Sequence, residues 1–158
     1  MISTPAAPVT RRVIQLGSYW PYQLTVLADR ISRHTAAIVK RHGQLNLSQW
    51  RVMAAIAEQP GRTAAEVVTV TPMDKGIVSR ATKALLTAGL VRREASQGDG
   101  RVSHLFLTTQ GDGLYQALMP RVEAVSREIH AALSDDEQRR FGVLLGRLVA
   151  TMSEPPGL

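Results

Sequence analysis

The middle of the chain holds the feature that most constrains the fold, a close succession of capped helices. Thr63 and Glu66 have the spacing of a capping box at the start of a short helix. Thr71 and Pro72 then have the pattern of an N-cap and a first helical residue, and the helix they begin is expected to end at Gly89. Two helices separated by so short a break predict a helix-turn-helix.

A β-hairpin is predicted directly after these helices. Residues 90–94 and 103–107 have the pattern of short strands, and the loop 95–102 between them contains Gly98 and Gly100, which permit a tight reversal. A helix-turn-helix followed by a hairpin is a winged helix. We therefore predict a mainly α fold with a small β-wing.

Helical periodicity continues on the N-terminal side of this module. The first helix is predicted to begin near Trp20 and Pro21, because proline suits a first turn, and to end at Gly43. Ser48 is the predicted N-cap of the next helix.

Two more helices are predicted on the C-terminal side. A long helix starts at Thr108 or Thr109 and contains Pro120, which is expected to kink it. Ser134 and Glu137 form a second capping box and begin the last helix. The side chains that this helix is expected to bury are Phe141, Leu144, Leu145, Leu148 and Met152.

The first and last helices each carry an apolar seam that one helix cannot bury alone. Together with the long fifth helix they predict packing against a second copy of the chain; the alternative is that the seams fill the core of a single chain. On the dimer interpretation, residues 19–44 and 109–152 form a dimerisation region and residues 45–108 the winged helix. Residues 1–18 and 153–158 are predicted to be a flexible arm and tail.

The charge of the chain is unevenly distributed. Lysine and arginine total 19 against 13 acidic residues, which gives a net charge of +6. Residues 1–104 hold fourteen basic and six acidic residues, whereas residues 105–158 hold five and seven. An excess of positive charge favours acidic partners such as nucleic acid or an anionic membrane. The positive part of the chain includes the winged helix, which predicts a binding part and a separate assembly part.

The second helix of the helix-turn-helix has two different faces. Helical spacing places Ile77, Val78, Ala81, Leu85 and Ala88 on the core side. The opposite face carries small and basic residues, which are Lys75, Gly76, Ser79 and Lys83, with Arg80 at its flank. Small residues let a helix lie deep in a major groove, and the basic side chains can bind phosphates or guanine. The alternative is an ordinary solvated face.

The predicted wing adds an arginine at its tip. Arg101 fits a minor groove, where the negative potential is deepest, and Asp99 can hold its guanidinium in place. The alternative is a hairpin turn in which the two side chains pair in solvent.

These motifs give the chain a family resemblance over residues 19–152. The chain resembles the multiple-antibiotic-resistance regulator (MarR) family of bacterial transcription factors. The matching stretches are LNLSQWRVMAAIAEQPGRTAAEVV, MDKGIVSRATKALLTAGLVRR, DGR and LTTQGDGL. The resemblance implies an obligate homodimer whose subunits each carry a winged helix and whose terminal helices form the interface. It also implies binding to palindromic promoter sites and a response to small phenolic or lipophilic ligands.

The resemblance also assigns residues. It implies a recognition helix over residues 72–86, with Ser79 and Arg80 as its serine–arginine pair. Asp99 and Arg101 match the wing motif, with Arg101 as the minor-groove arginine. The implied function is that of a cytoplasmic, ligand-responsive repressor that binds double-stranded DNA as a homodimer.

One departure from the family pattern favours a different function. The position between the two wing residues is often basic in the family, and here it is Gly100, which removes a phosphate contact. The alternative function is therefore a winged-helix module that binds protein partners and does not read DNA sequence.

Other chemistry finds no support in the sequence. The chain has no cysteine, which excludes disulfides, thiolate zinc sites and a cysteine redox switch. Its four histidines form no metal-binding pair, and no catalytic motif is present, so neither an enzyme nor a metal site is predicted. No apolar run approaches the roughly 20 residues that span a bilayer, and no secretory signal is recognisable, so a cytoplasmic protein without membrane contact is expected.

A small aromatic or lipophilic effector is the only small molecule that the sequence suggests. Aromatic side chains with polar tips suit such ligands, and a histidine lies near the first seam. The candidate pocket residues are Trp20, Tyr22, His34, Trp50 and Tyr115. The alternative is core or interface packing, which is the favoured interpretation of Trp50 and His34.

Overall fold

The chain folds into helices with one hairpin inserted before the fifth. A computed structural model describes residues 12–96 and 102–152. Within these ranges the elements are α1 (Trp20–Gly43), α2 (Leu47–Glu58), α3 (Ala64–Val70), α4 (Lys75–Thr87), β1 (Val91–Ala95), β2 (Ser103–Leu107), α5 (Thr109–His130) and α6 (Asp135–Thr151). Strands β1 and β2 pair antiparallel, with Val91 opposite Leu107 and Ala95 opposite Ser103. The predicted mainly α fold with a small β-wing is confirmed.

The hydrophobic core lies under the winged helix, with α2 at its centre. Its members come from α1 to α5 and include Val39, Val52, Met53, Ile56, Val67, Val78, Leu85, Leu105 and Leu118. Trp50 on α2 stacks on Tyr115 of α5, with ring centroids 5.1 Å apart and an interplanar angle of 16°. This stack joins the winged helix to the fifth helix.

A third backbone segment extends the hairpin at its base. The amide of Gly61 donates to the carbonyl of Leu105 over 2.9 Å, and the amide of Leu105 donates to the carbonyl of Arg62 over 3.0 Å. The Arg62 side chain is buried, and its guanidinium donates to the carbonyl of Ala55 over 2.7 Å and pairs with Glu58. The arginine therefore ties the end of α2 to the segment that pairs with β2.

Two helices begin at residues other than those predicted. Helix α2 is capped by Asn46, whose side chain accepts from the amide of Gln49 over 2.9 Å, and not by Ser48. Helix α4 is capped by Asp74 and not by Thr71, which is the extended residue that ends α3. The hydroxyl of Thr71 donates to the carbonyl of Val67 over 2.7 Å, so it completes the preceding helix. Only the tertiary fold decides between such neighbouring capping residues.

Other predicted boundaries are confirmed. Capping boxes form between Thr63 and Glu66 and between Ser134 and Glu137. Helix α1 ends at Gly43, but the left-handed residue after it is Gln44, with φ 55°. The glycine serves close packing, because a Cβ there would lie 2.7 Å from a Leu118 methyl carbon.

Helix α5 runs through Pro120 without interruption and begins in close contact with the backbone before the hairpin. Its N-cap Thr108 accepts from the amide of Gly111 over 3.0 Å and donates to the carbonyl of Gly89 over 2.7 Å. A Cβ on the buried Gly111 would lie 1.9 Å from the carbonyl oxygen of Leu90. The first turn of α5 therefore packs directly on the main chain at the end of α4.

The last helix differs most from its prediction. No residue of α6, which is described in full, is buried. The five side chains that we expected it to bury are all exposed in the single chain, with values of 43% for Phe141, 55% for Leu144, 36% for Leu145, 39% for Leu148 and 77% for Met152. The apolar face of α6 is therefore left uncovered in the single chain.

Candidate nucleic-acid interface

Helix α4 presents the predicted polar face to solvent. Its inner side is formed by Val78, Ala81, Thr82 and Leu85, all buried. The five residues predicted for the opposite face are all exposed, namely Lys75, Gly76, Ser79, Arg80 and Lys83. Ala88, predicted to be in the core, is exposed because it is the C-cap, where the chain leaves the helix.

The charges on this face are available to a ligand. In residues 12–96 and 102–152, no ion pair involves Lys75, Arg80 or Lys83. Unpaired basic side chains on an exposed helix bind phosphates without first breaking an internal contact. This part of the chain therefore carries positive charge that the fold itself does not neutralise.

The start of α4 combines a cap with a small residue. The carboxylate of Asp74 accepts from the amide of Ile77 over 2.7 Å and fixes the first turn. A Cβ on Gly76 would lie 3.2 Å from that carboxylate and 3.4 Å from the guanidinium of Arg80. The glycine thus keeps the surface of the first turn low, as a close approach to another molecule requires.

The preceding helix is oriented by its own cap. The pKa of Glu66 is lowered because its carboxylate accepts hydrogen bonds from the amide and then the hydroxyl of Thr63. These bonds favour the charged carboxylate and fix the start of α3. The cap therefore fixes the residue at which α3 begins.

The strands of the hairpin hold basic residues that sequence reasoning missed. Arg92 lies opposite Phe106 in the register, with its guanidinium carbon 4.6 Å from the ring centroid, and it pairs with Glu94. Arg93 lies opposite the buried Leu105 and therefore projects to the other face of the hairpin, toward the helices. Neighbouring residues of a strand project to opposite faces, so this alternation in the sequence could have predicted that Arg92 and Arg93 lie on different faces of the hairpin.

The predicted wing-tip residues, Asp99 and Arg101, lie outside the described residues, as does Gly100. Their roles stay predictions. Among the described residues of the hairpin, Arg93, Val102 and Ser103 border one cavity with Thr63, the N-cap of α3.

The structure does not gather the five proposed effector residues around one cavity. Trp50 is 7% exposed and belongs to the core, in keeping with the favoured interpretation. Trp20, Tyr22 and His34 are exposed along α1. Tyr22 borders a cavity at the start of α1, whereas Tyr115 borders a separate cavity with Arg51.

A third cavity, apolar and about 460 Å³ in volume, lies between α1, α5 and α6. Its lining includes Leu24, Ile31, Ile129 and Phe141, and it includes none of the five proposed effector residues. The three helices that line this cavity are the ones whose apolar seams predict packing against a second copy of the chain.

The parts of the chain that are described, residues 12–96 and 102–152, lack two features. They contain no cluster of three or more acidic or histidine side chains that could hold a metal ion. They also contain no helix of the length and apolar character that crossing a membrane requires.

Comparison with known proteins identifies relatives with the same fold. Residues 44–102 match the sequence model of the MarR family. The homoprotocatechuate degradative operon repressor of Escherichia coli is 30% identical over 117 residues, which cover 72% of this chain and 76% of that protein. The crystal structure of a MarR-family transcriptional regulator from Silicibacter pomeroyi superposes with a TM-score of 0.79 at 24% identity, over 90% of this chain and 97% of that one.

A further solved structure concerns regulation by a small molecule. It describes the regulation of DNA binding of Bordetella bronchiseptica BpsR by 6-hydroxynicotinic acid, and it superposes with a TM-score of 0.66 at 22% identity, over 80% of this chain and 98% of that one. The relatives are transcriptional regulators, so the predictions of a DNA-binding regulator and of a non-enzymatic protein are confirmed. The chain belongs to the MarR family of DNA-binding transcriptional regulators.

Proposed function

We propose that the protein is a homodimeric repressor that binds a palindromic promoter site and releases it when a small aromatic acid binds. The observation that carries the dimer is α6, whose apolar side chains all lie exposed on the single chain. Monomeric proteins rarely leave such a contiguous apolar surface in water. A second copy would cover it with the same helices, as a two-fold axis requires.

The dimer divides the chain into parts. Residues 19–44 and 109–152 form the assembly region, and residues 45–108 form the DNA-binding winged helix. Residues 1–18 and 153–158 are the proposed arm and tail. The charges on the two sides of residue 108 support this division, because residues 45–108 hold eight basic and five acidic residues, whereas residues 109–152 hold five and six.

On DNA, each α4 enters a major groove about one helical turn from its mate. Lys75, Arg80 and Lys83 bind phosphates or guanine edges, and Ser79 bonds a base edge or a phosphate, while Gly76 permits the close approach. Arg101 enters the flanking minor groove with Asp99 orienting it. The exposure and unpaired charge of the α4 residues support this arrangement.

A small aromatic acid is the effector that the chemistry of the cavity beside α5 favours. This cavity, about 490 Å³, is bordered by Arg51, Glu58 and Tyr115, and the carboxylate of Glu58 is paired with Arg62. The guanidinium of Arg51 donates to the hydroxyl of Ser32 on α1 over 3.1 Å, so it lies between the assembly helix and the winged helix. An arginine suits a carboxylate, and a tyrosine ring suits an aromatic face. Trp20, Tyr22 and His34 are proposed to border the approach to it from α1.

The dimer is tested by paired substitutions on α6. Leu144 and Val143 are similarly exposed in the single chain, at 55% and 57%, but they lie on different sides of the helix. We expect Leu144→Asp to yield monomers in light scattering after gel filtration, whereas Val143→Asp stays dimeric. A monomeric wild type, or a dimer unaffected by both substitutions, contradicts the assignment.

DNA binding is tested by fluorescence anisotropy with the region upstream of the gene and a scrambled duplex. We expect the upstream duplex to bind more tightly, and the triple variant Lys75→Ala, Ser79→Ala and Lys83→Ala to lose that preference. A folded dimer without sequence preference at low salt would favour the protein-interaction function instead.

The effector is tested in the same assay with 6-hydroxynicotinic acid and related hydroxylated aromatic acids. We expect release of the duplex by at least one acid, with Arg51→Ala insensitive and the exposed α1 control Arg41→Ala still responsive. Equal responses of the two variants would remove Arg51 from the effector site.

A further inference from the structure

We infer that a cleft between α3, α4 and β1 seats one backbone phosphate of the bound DNA, and that Arg93 closes on this phosphate. The cleft measures about 360 Å³. Lys75 and Ser79 of α4 and Arg93 of β1 stand around it, and the small residues Ala64 and Ala65 form its α3 wall. This inference rests on the proposed DNA-bound arrangement.

Strand geometry brings Arg93 to the cleft. Residues directly opposite each other in an antiparallel pair project to the same face, and Arg93 is opposite Leu105, which is buried against the helices. Arg92 projects to the other face, where it contacts Phe106 and pairs with Glu94. One arginine is therefore occupied by the hairpin, and the other is directed toward α3 and α4.

The charges around the cleft favour an anion. Lys75 and Arg93 both border it, and none of the residues that line it is acidic. Neither cation takes part in an ion pair within residues 12–96 and 102–152. The acidic residue of α3, Glu66, is held by Thr63 in the capping box. Two unpaired cations beside a hydroxyl match the donors that proteins use for phosphate.

A buried hydroxyl at the base of the cleft is a second, independent observation. Thr82 is 2% exposed and lines the cleft, and its Oγ1 has no hydrogen-bond partner within the described ranges. A buried hydroxyl without a partner is costly, and such groups are rare in folded proteins. A phosphate seated in the cleft that Thr82 lines would supply the acceptor that this hydroxyl lacks.

The position of the cleft indicates DNA as the source of the phosphate. Lys75, Ser79 and Thr82 follow one another at helical spacing down one side of α4, from the exposed reading face to the core. A phosphate here lies at the edge of the groove that α4 enters. Contacts of this kind fix the register of a protein on DNA without reading bases.

The test compares Arg93→Ala with Arg92→Ala, two neighbours of the same type on opposite faces of β1. Affinities of the dimer are measured for the upstream duplex and a scrambled duplex between 50 and 300 mM KCl. We expect Arg93→Ala to weaken both by a similar factor, on the order of tenfold or more at low salt. The dimer has two such clefts and so seats two phosphates. The magnitude of the slope of log affinity against log salt should therefore fall by about 1.8, or 0.9 for each phosphate. Arg92→Ala should keep the wild-type slope.

Several outcomes would overturn the inference. If Arg93→Ala leaves the salt slope unchanged, or loses affinity only for duplexes with one particular base, Arg93 does not bind a phosphate. DNA binding by the wild type would still support the proposed function in that case. If the wild type binds no DNA, both fall together.

A free anion is the other source of the same chemistry. If inorganic phosphate raises the melting temperature of the wild type at constant ionic strength, and Arg93→Ala abolishes that rise without changing the salt slope, the cleft binds a free anion and the inference is wrong. Arg93 is exposed, so we expect the wild-type circular dichroism spectrum in its variants.

Discussion

The contact between the start of α5 and the main chain of Leu90 makes one glycine far more important than its neighbour. A Cβ on Gly111 would lie 1.9 Å from the Leu90 carbonyl oxygen and 2.8 Å from its carbonyl carbon, whereas nothing lies within 4 Å of a Cβ on Gly113. An ordinary carbon–oxygen contact is about 3.3 Å, so Gly111→Ala must move one backbone away from the other by about 1.4 Å.

The expected magnitude follows from two opposing terms. Overpacking of this severity costs about 3 kcal/mol, and alanine is about 1 kcal/mol better than glycine inside a helix. We therefore expect Gly111→Ala to lower the free energy of unfolding by about 2 kcal/mol and Gly113→Ala to raise it by about 1 kcal/mol. The helix term is common to both, so their difference of about 3 kcal/mol measures the clash alone.

Urea unfolding followed by circular dichroism measures this difference. All proteins are compared at one concentration, because unfolding of a dimer depends on it. Melting temperatures should differ by about 6–12 °C between the two variants. If Gly111→Ala and Gly113→Ala unfold within about 0.5 kcal/mol of each other, the close packing of α5 on Leu90 is wrong.

Three further predictions concern the caps and the core. Asp74→Ala should lower the free energy of unfolding by about 1 kcal/mol in urea titrations because it removes the N-cap of α4, and a larger effect of Thr71→Ala would move that cap back to Thr71. Trp50→Ala should cost about 3–5 kcal/mol in the same assay, and a near-neutral result would contradict its place in the core. Thr63→Ala should raise the pKa of Glu66 toward its ordinary value, as followed by NMR titration. Because the folded pKa of Glu66 is depressed, its contribution to stability is complete above the ordinary pKa and is lost as pH falls through the folded pKa. The Thr63→Ala variant should therefore lose less stability than the wild type on acidification. An unchanged pKa of Glu66 in the variant would count against the capping box.

Features that depend on a few neighbouring residues could be predicted from the sequence. The capping boxes at Thr63 and Ser134 are local, since their partners lie three residues away, and both form. The start of α4 could not be predicted from the sequence, because threonine and aspartate are both good N-caps and both Thr71 and Asp74 stand near the start of the helix. The packing of Val67 against the core leaves Thr71 to end α3, and Asp74 begins the next helix.

Features that depend on distant contacts were harder to predict. Periodicity identified the apolar face of α6 but not what covers it, since the same seam suits a core and an interface. Trp50 and Trp20 look alike in the sequence, and only the stack on Tyr115, 65 positions later, separates a core residue from an exposed one. Arg93 was missed because its direction depends on pairing with Leu105 across the hairpin.

One residue, Thr108, joins the end of α4 to the start of α5. Thr108 donates to the carbonyl of Gly89 and accepts from the amide of Gly111, and its own amide donates to the carbonyl of Leu90. With 22 residues, α5 is about 33 Å long, so a tilt of about 10° at this joint displaces its far end by about 6 Å. A displacement of several ångströms at the far end of α5 therefore corresponds to a rotation of only about 10° at this joint, and α4 turns little when that end moves.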